Sequence, residues 1–341
     1  MLTKDDYAEI KKELDTSYHP LYFYDDDTDG LASFLLFYRY VREGKGIILK
    51  TSPNVDMKFL HKVQDYHPDK IFILDLAKAE QEFIDKTKTP IVWIDHHGPV
   101  ERNKVKYFNP IVKEPKKNLP TAYSCYKVVE QDIWIAMIGI VGDWTLPADV
   151  QKKFSEKYPD LLPPSVTNPG KAMFDTKLGK LVQIYEFCLK GKTSEVKKLV
   201  KILTRINDPY EILEGKTPRS KLILKHYKKI KKEFDSLMKG VKPDKDSPMI
   251  VYHYHSGRMS LSGEISNHVL YKYPDKFIII LREKNGEMKC SFRSHTFNVK
   301  KILAKALIGV DGTGGGHIEA CGGVIKKYDW DKFLENIKAQ L

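Results

Sequence analysis

Four carboxylates crowd one short run of the chain, Asp25-Asp26-Asp27-Thr28-Asp29-Gly30. Aspartates this close repel one another unless a divalent cation neutralises them, and hard oxygen donors suit Mg²⁺ or Mn²⁺. The DxDxDG core looks like a calcium loop. Such a loop needs a bidentate glutamate at its twelfth position, and counted from Asp25 that position is Leu36. A helix N-cap accounts for one aspartate and not for four. Three further acids end apolar runs: Asp75 after IFIL, Asp95 after IVWI, and Asp143 after Gly139-Ile140-Val141-Gly142. Asp75 alone also reads as an N-cap, and its weight comes from the company it keeps. Asp95 is followed by His96 and His97. Adjacent histidines after an acid offer a metal ligand and a phosphate-facing donor together. Imidazole nitrogen in an otherwise oxygen site shifts the preference toward Mn²⁺.

A second set of candidates lies near the C-terminus, in Cys290-Ser291-Phe292-Arg293-Ser294 and in the glycine-rich run from Gly312 to Gly322. Glycines let backbone N–H groups approach a phosphate closely, and Arg293 and His317 can supply charge-assisted hydrogen bonds. The run is not a dinucleotide fingerprint, because His317 stands where the last glycine is required.

These residues need elements to hold them. LYFY at 21–24, GIIL at 46–49, IFILDL at 71–76 and PIVWID at 90–95 alternate with amphipathic stretches. This pattern predicts buried parallel strands in an α/β sheet. Ligands of such sheets sit at the carboxyl ends of the strands, so Asp25, Asp75 and Asp95 are expected together at one edge. The stretch 148–172, with Pro159, Pro163, Pro164, Pro169 and Gly170, predicts a surface loop or linker. Helical patterns follow at 178–190, 194–205 and 221–240, the last strongly basic and read as a solvated face. After VKPDKDSP at 241–248 a β-rich segment runs to the C-terminus.

At 341 residues the chain exceeds one hydrophobic core, so two domains and a connector are expected. A hydrophobic share of 42% with 30% charged residues is ordinary for a globular protein and argues against long disorder. The formal charge of +12 attracts polyanions. The four cysteines form no CxxC pair, which indicates neither a zinc ribbon nor a disulfide framework and suggests a reducing, cytoplasmic setting. The longest apolar run, around Trp134 to Val141, is too short to span a bilayer.

Taken in order, Asp25/Asp27/Asp29, Asp75, Asp95-His96-His97 and Asp143 resemble the four motifs of the DHH phosphoesterase superfamily. Ser291-Phe292-Arg293-Ser294 and Gly314-Gly315-Gly316-His317-Ile318-Glu319-Ala320-Cys321-Gly322 resemble the SxRS and GGGHxxAxG signatures of the DHHA1 domain. The resemblance covers nearly the whole chain, although 150–245 matches only as a helical connector. It implies a parallel-sheet DHH catalytic domain at 1–170, a helical connector at 171–245 and a smaller α/β DHHA1 domain at 246–341, with the active site in the cleft between them. The DDDTDG form is similar to RecJ-like nucleases rather than to the HxNPDxD form of oligoribonucleases and pyrophosphatases. Phe23 stands where the latter carry a histidine ligand, and Asp25 is the residue that could compensate. The chain is too short for the extra OB-fold domain of bacterial RecJ.

The resemblance also implies roles. Asp27 would bind a first metal, Asp75 would bridge, and Asp29, His96 and Asp143 would hold a second, with Asp25 as a further ligand. Asp95 and His97 would be the catalytic pair, with Asp95 orienting a histidine. His97, Ser291, Arg293, Ser294, Gly315, Gly316 and His317 would bind the substrate phosphate. The implied cofactor is a pair of Mn²⁺ ions, with Mg²⁺ as a substitute. The implied activity is an exonuclease on single-stranded DNA or RNA, 3′→5′ by analogy with compact archaeal-type relatives, serving DNA repair, replication or RNA turnover. An oligoribonuclease or nucleotide phosphatase on short substrates, and a non-catalytic replication scaffold, are the alternatives. Expected partners are single-stranded nucleic acid and a helicase or replisome protein, without a membrane.

Overall fold

The computed structural model describes every residue except 51–53, 116–117, 245 and 256–258. Packing divides the chain into two units, Met1–Leu189 with Lys197–Leu224, and Lys190–Val196 with Lys225–Leu341. The segment 171–245 thus gives helices to both. The connector's expected end at Lys245 falls outside the described residues.

In the first unit, β1 (Leu21–Asp25), β2 (Lys45–Leu49), β4 (Ile71–Leu74), β6 (Ile91–Ile94) and β7 (Lys106–Phe108) form a sheet in the order β2-β1-β4-β6-β7, with every neighbouring pair parallel. Two short strands, β3 (Asn54–Val55) and β5 (Lys78–Ala79), pair separately. The runs of β1, β4 and β6 are apolar at successive positions because both faces are covered. Leu21, Phe23, Ile71, Ile73, Ile91 and Trp93 pack on one side with Val63 and Phe83. On the other side Tyr22 stacks on Phe72 and meets Phe34, and Phe37 meets Phe72 edge-on. Phe34 and Phe37 belong to the helix Thr28–Val41, which follows β1 directly.

One apolar run proves to be a helix, and one expectation needs correction. The apolar run that ends at Asp143 is a buried helix, Ile133–Gly142, with Asp143 as its C-cap. The stretch 148–172 is not an open loop: it carries the helices Ala148–Lys157 and Pro169–Phe174 and buries Val150, Phe154, Leu161 and Leu162. Its prolines punctuate helices. Pro147 is the N-cap of the first, and Pro169 sits in the first turn of the second, where a missing N–H costs nothing.

The second unit contains a mixed sheet of β8 (Met249–Tyr254), β9 (Phe277–Lys284), β10 (Glu287–Arg293), β11 (Gly312–Gly316) and β12 (Ala320–Lys326), in the order β11-β12-β10-β9-β8. Only β8 and β9 run parallel. One face carries Phe277, Ile279, Leu281, Met288 and Phe292 against Phe333 and Ile337 of the helix Trp330–Lys338 and Leu303 of the helix Val299–Ala306. The helix Ser262–Lys272 lies on β9 and β10 from the other side. Among the described residues no helix is long and apolar enough to cross a membrane.

Candidate active site

The strand order places β1, β4 and β6 side by side, and the register pairs Tyr24 with Leu74 and Leu74 with Ile94. The next residue of each strand line is Asp25, Asp75 and Asp95, so three carboxylates meet at one carboxyl edge. Asp75 is not an N-cap. It sits in the left-handed region at φ 59°, a conformation that aspartate and asparagine tolerate better than most residues, just beyond β4. Asp27 is the N-cap of the helix Thr28–Val41 and accepts from the Gly30 N–H at 2.8 Å. A side chain at Gly30 would bring its Cβ within 2.7 Å of the Asp25 backbone, which is why the turn from strand to helix needs glycine there.

Asp29, in the first turn of that helix, is 1% exposed. It accepts from the backbone N–H groups of Thr121 and Ala122, each at 2.8 Å, at the start of the helix Thr121–Val129. These amides belong to the positive end of a helix and hold the carboxylate in place. Asp143 has the opposite setting, at the C-terminus of Ile133–Gly142, where a negative charge is disfavoured. That helix comes close to Thr28–Val41 because Gly142 is bare; an added Cβ would lie 1.9 Å from Thr28 Oγ1.

His96 gathers these acids. Its Nε2 is 3.3 Å from Asp75 Oδ1, 3.7 Å from Asp143 Oδ2 and 3.9 Å from Asp29 Oδ2. Ligand atoms of Asp29, Asp75 and His96 all lie within 4.8 Å of one another, and so do those of Asp75, Asp95 and His97. Asp75 Oδ1 accepts from Thr121 Oγ1 at 3.2 Å, while its buried Oδ2 has no hydrogen-bond partner among the described residues. Burial, reinforced by Asp27, pushes Asp25 up to about 8. Burial pushes Asp29 up to about 7, with His96 opposing and Asp143 assisting. Asp75 is raised well above the ordinary carboxylate range by burial and by Asp29, Asp27, Asp25 and Asp143. Buried acids that resist ionisation, one with an orphaned oxygen, mark a place for a cation. The mostly oxygen donor set with one imidazole fits Mn²⁺ or Mg²⁺.

Asp95, also 1% exposed, plays a different part. Its Oδ1 lies 2.6 Å from His97 Nδ1, and its Oδ2 accepts from the His97 N–H at 3.1 Å. Burial lowers the basicity of His97, but the Asp95 hydrogen bond and the surrounding carboxylates win and push it up to about 9. The same contact with Asp95 holds the ring in place and favours its protonated form. Asn109 donates to the His97 carbonyl at 2.8 Å and to Asp95 Oδ2 at 3.4 Å.

The C-terminal candidates gather on the second sheet. Ser291 and Arg293 lie on β10, and Gly315 and Gly316 on β11. Arg293 Nε donates to Asn267 Oδ1 at 2.9 Å, and its Nη1 donates to the carbonyls of Phe292 at 2.9 Å and Cys321 at 3.3 Å. Ser291 shares a 2.9 Å hydrogen bond with Ser266. Ser294 is fully buried and accepts from the N–H groups of Thr296 and Phe297, each at 3.2 Å. His317 donates its backbone N–H to Ala320 O at 2.7 Å at the turn between β11 and β12. The first part of the glycine run, Gly312–Gly316, is the edge strand β11, and Gly322 lies in β12.

Sequence reading missed Thr121, Ala122, Tyr107 and Asn109, whose contributions are a helix N-terminus and hydrogen bonds to Asp95. The only sequence signals for them are Pro120 before a helix start and the Asn109-Pro110 cap pattern.

Residues 21–152 match the DHH family, N-terminal domain, and residues 246–341 match the DHHA1 domain. The chain carries a DHH-family N-terminal domain followed by a DHHA1 domain. Its fold is that of the family's phosphoesterases and resembles RecJ. The Mn²⁺ complex of RecJ from Thermus thermophilus aligns over 98% of this chain and 54% of its own, at 14% identity and a TM-score of 0.71. This chain thus spans about half the length of that protein. A manganese-bound exonuclease RecJ aligns over 98% of this chain and 93% of its own, at 13% identity and a TM-score of 0.63. CDC45 from Entamoeba histolytica aligns over 98% of both chains at 9% identity, with a TM-score of 0.50. At such identities the likeness is one of fold. No curated protein matches the chain.

Proposed function

We propose that this DHH/DHHA1 protein is a metal-dependent phosphodiesterase that acts as an exonuclease on single-stranded DNA or RNA. The observation that carries this reading is the convergence of Asp29, Asp75 and His96, with His96 Nε2 3.3 Å from Asp75 Oδ1 and the buried Asp75 Oδ2 left without a partner among the described residues. Asp25, Asp27 and Asp143 complete a donor set for two ions, Mn²⁺ by preference and Mg²⁺ in its place. Bound there, the ions supply Lewis acidity and positive charge to a phosphodiester. The chain's own groups do the rest. Asp95 keeps His97 protonated and oriented, and His97 donates a hydrogen bond to a phosphate oxygen as negative charge gathers on it. Asp29 is held by the amides of Thr121 and Ala122, so the ligand cluster is preorganised before substrate arrives.

In the second domain Arg293, Ser291, Ser294, Gly315, Gly316 and His317 are the proposed phosphate-binding residues, with the anchoring of Arg293 fixing the direction of its charge. The reading takes 1–170 as catalytic, 171–245 as connector and 246–341 as substrate-binding. The formal charge of +12 supports a polyanionic substrate. The four free, buried cysteines accord with a cytoplasmic setting. Polarity is taken as 3′→5′. Retention of the acid cluster speaks against a non-catalytic scaffold, although the likeness to CDC45 leaves room for a replisome partner. Phe23, wholly buried in the sheet core, offers no ligand where short-substrate relatives have histidine, which favours strands over dinucleotides.

The test is cleavage of end-labelled single strands of about 3 to about 40 nucleotides, as DNA and RNA, with Mn²⁺, Mg²⁺ or EDTA. Stepwise shortening of long strands that requires metal and is lost in Asp75→Asn supports the proposal. Turnover confined to the shortest oligomers would reassign the enzyme to short substrates. Absence of metal-dependent cleavage would favour the scaffold.

A further inference from the structure

A second donor set, unrelated to the acid cluster, lies in the C-terminal unit on β8 and β9. These strands run parallel, with His253 opposite Leu281 and Tyr254 opposite Arg282. Continued by one residue, that register sets His255 beside Glu283. Side chains alternate along a strand, so His253, His255 and Glu283 share one face. One ligand atom from each of the three lies within 4.8 Å of the other two. The imidazole rings of His253 and His255 are 4.5 Å apart between centroids, and His253 Nε2 is 3.9 Å from Glu283 Oε2. Both histidines are exposed and Glu283 is half-buried, so an ion could enter from solvent. Lys327 sits in the same neighbourhood, but it pairs with Glu283 Oε1 at 2.7 Å, while it is Oε2 that faces the imidazole.

We propose that His253, His255 and Glu283 form a site for a borderline divalent cation of the Zn²⁺, Ni²⁺ or Cu²⁺ class. Two imidazoles and one carboxylate suit such ions, whereas the oxygen-rich cluster of the N-terminal unit suits Mn²⁺ or Mg²⁺. Tetrahedral coordination needs bonds of about 2.0–2.2 Å, which set ligand atoms about 3.3 Å apart. The present 3.9 Å between His253 Nε2 and Glu283 Oε2 is wider than that, and the exposed imidazoles would have to rotate to close it. Three protein ligands leave a fourth position for water or another donor. Because β8 is the edge strand of its sheet, the ion ties the edge to its neighbour and stabilises the unit by mass action.

The experiment uses the full chain in excess Mn²⁺, so that the oxygen-rich cluster is filled, with Zn²⁺ bound at equilibrium measured by elemental analysis. The wild type is expected to hold one more Zn²⁺ per chain than the double variant His253→Ala/His255→Ala. Cu²⁺ is expected to give a paramagnetic resonance signal with nitrogen coupling that the double variant lacks. Glu283→Gln, which keeps the volume, should weaken Zn²⁺ binding by about tenfold. Metal-dependent cleavage of single strands should be unchanged in these variants, which also reports that they fold. Equal Zn²⁺ content in the wild type and the double variant, or Zn²⁺ affinity untouched in Glu283→Gln, overturns the proposal. Neither outcome bears on the nuclease reading.

Discussion

At the carboxyl edge of β1, β4 and β6 the polar groups are at odds with one another, whereas on β10 and the turns beside it they satisfy one another. Asp75 keeps a buried oxygen without a hydrogen-bond partner among the described residues, and burial with neighbouring carboxylates pushes Asp25 and Asp29 up to about 8 and about 7. Arg293, by contrast, rests on Asn267 and two backbone carbonyls, and Ser294 is fully buried and caps two amides. Both regions carry family motifs. A frustrated cluster gives up stability to hold a ligand, and a satisfied one spends its groups on shape. Motif residues in the second region therefore have structural duties that a role in phosphate binding must share.

The largest expected effect comes from Asp75→Asn, which keeps the volume and the tolerance of positive φ. It should lower the cleavage rate by on the order of a thousandfold. In EDTA it should leave the denaturation midpoint unchanged or raise it, because it removes one buried carboxylate from a repelling group. A clear loss of metal-free stability would show that Asp75 is a structural acid and would undo the contrast. Gly142→Ala comes next. Its Cβ would lie 1.9 Å from Thr28 Oγ1, so the helices Ile133–Gly142 and Thr28–Val41 must separate. A cost of about 1–3 kcal/mol in denaturant unfolding is expected, together with weaker Mn²⁺ binding as Asp143 moves from His96. Thr28→Ala should restore part of both.

Much of this contrast is legible in the amino-acid sequence. The strands are readable because a doubly covered parallel strand must be apolar at successive positions, and acids at their ends follow from the ligand-binding edge of such sheets. The run before Asp143 is harder, since a short apolar stretch reads alike as buried strand or buried helix; here all sides of Ile133–Val141 are covered. Prolines mislead at 148–172, where Pro159, Pro163 and Pro164 fall between two helices and Pro169 starts the second. Thr121 and Ala122 escape a sequence reading, because a backbone amide has no side-chain signature and its partner Asp29 is some ninety residues away. The same holds for Glu283, which only the β8–β9 register brings to the two histidines.

The pH dependence of stability sharpens the contrast further. An aspartate whose folded pKa is raised binds more protons folded than unfolded. Stability is therefore lost as pH rises from about 3.8, the unfolded value, through about 7 for Asp29 and about 8 for Asp25. His97 acts in the same direction, because its stabilisation is complete below about 6.5 and is lost as pH rises through about 9. The metal-free protein should thus weaken steadily between about pH 4 and about pH 9. Added Mn²⁺ competes with those protons, so the gap between the Mn²⁺ and EDTA denaturation midpoints should widen with pH. A gap that is constant across that range would mean that the acids are already ionised without metal.

The smallest expected effect belongs to Ser294→Ala and decides how far the second region is structural. The lost hydroxyl leaves the amides of Thr296 and Phe297 without their acceptor in a partly exposed turn, for a cost of about 1 kcal/mol. If Ser294 serves the fold alone, the variant should show that loss in denaturant while KM for a single strand stays unchanged. If the hydroxyl also reaches the phosphate, KM should rise at temperatures well below the unfolding transition, and Ser294→Thr, which keeps the hydroxyl, should recover it. Arg293→Lys supplies the reference for a direct contact: it keeps the charge but cannot reproduce the forked hold on Asn267 and the two carbonyls, so its KM should rise severalfold more than that of Ser294→Ala. Equal effects of the two variants would mean that the turn moves as one piece and that its motif acts through geometry.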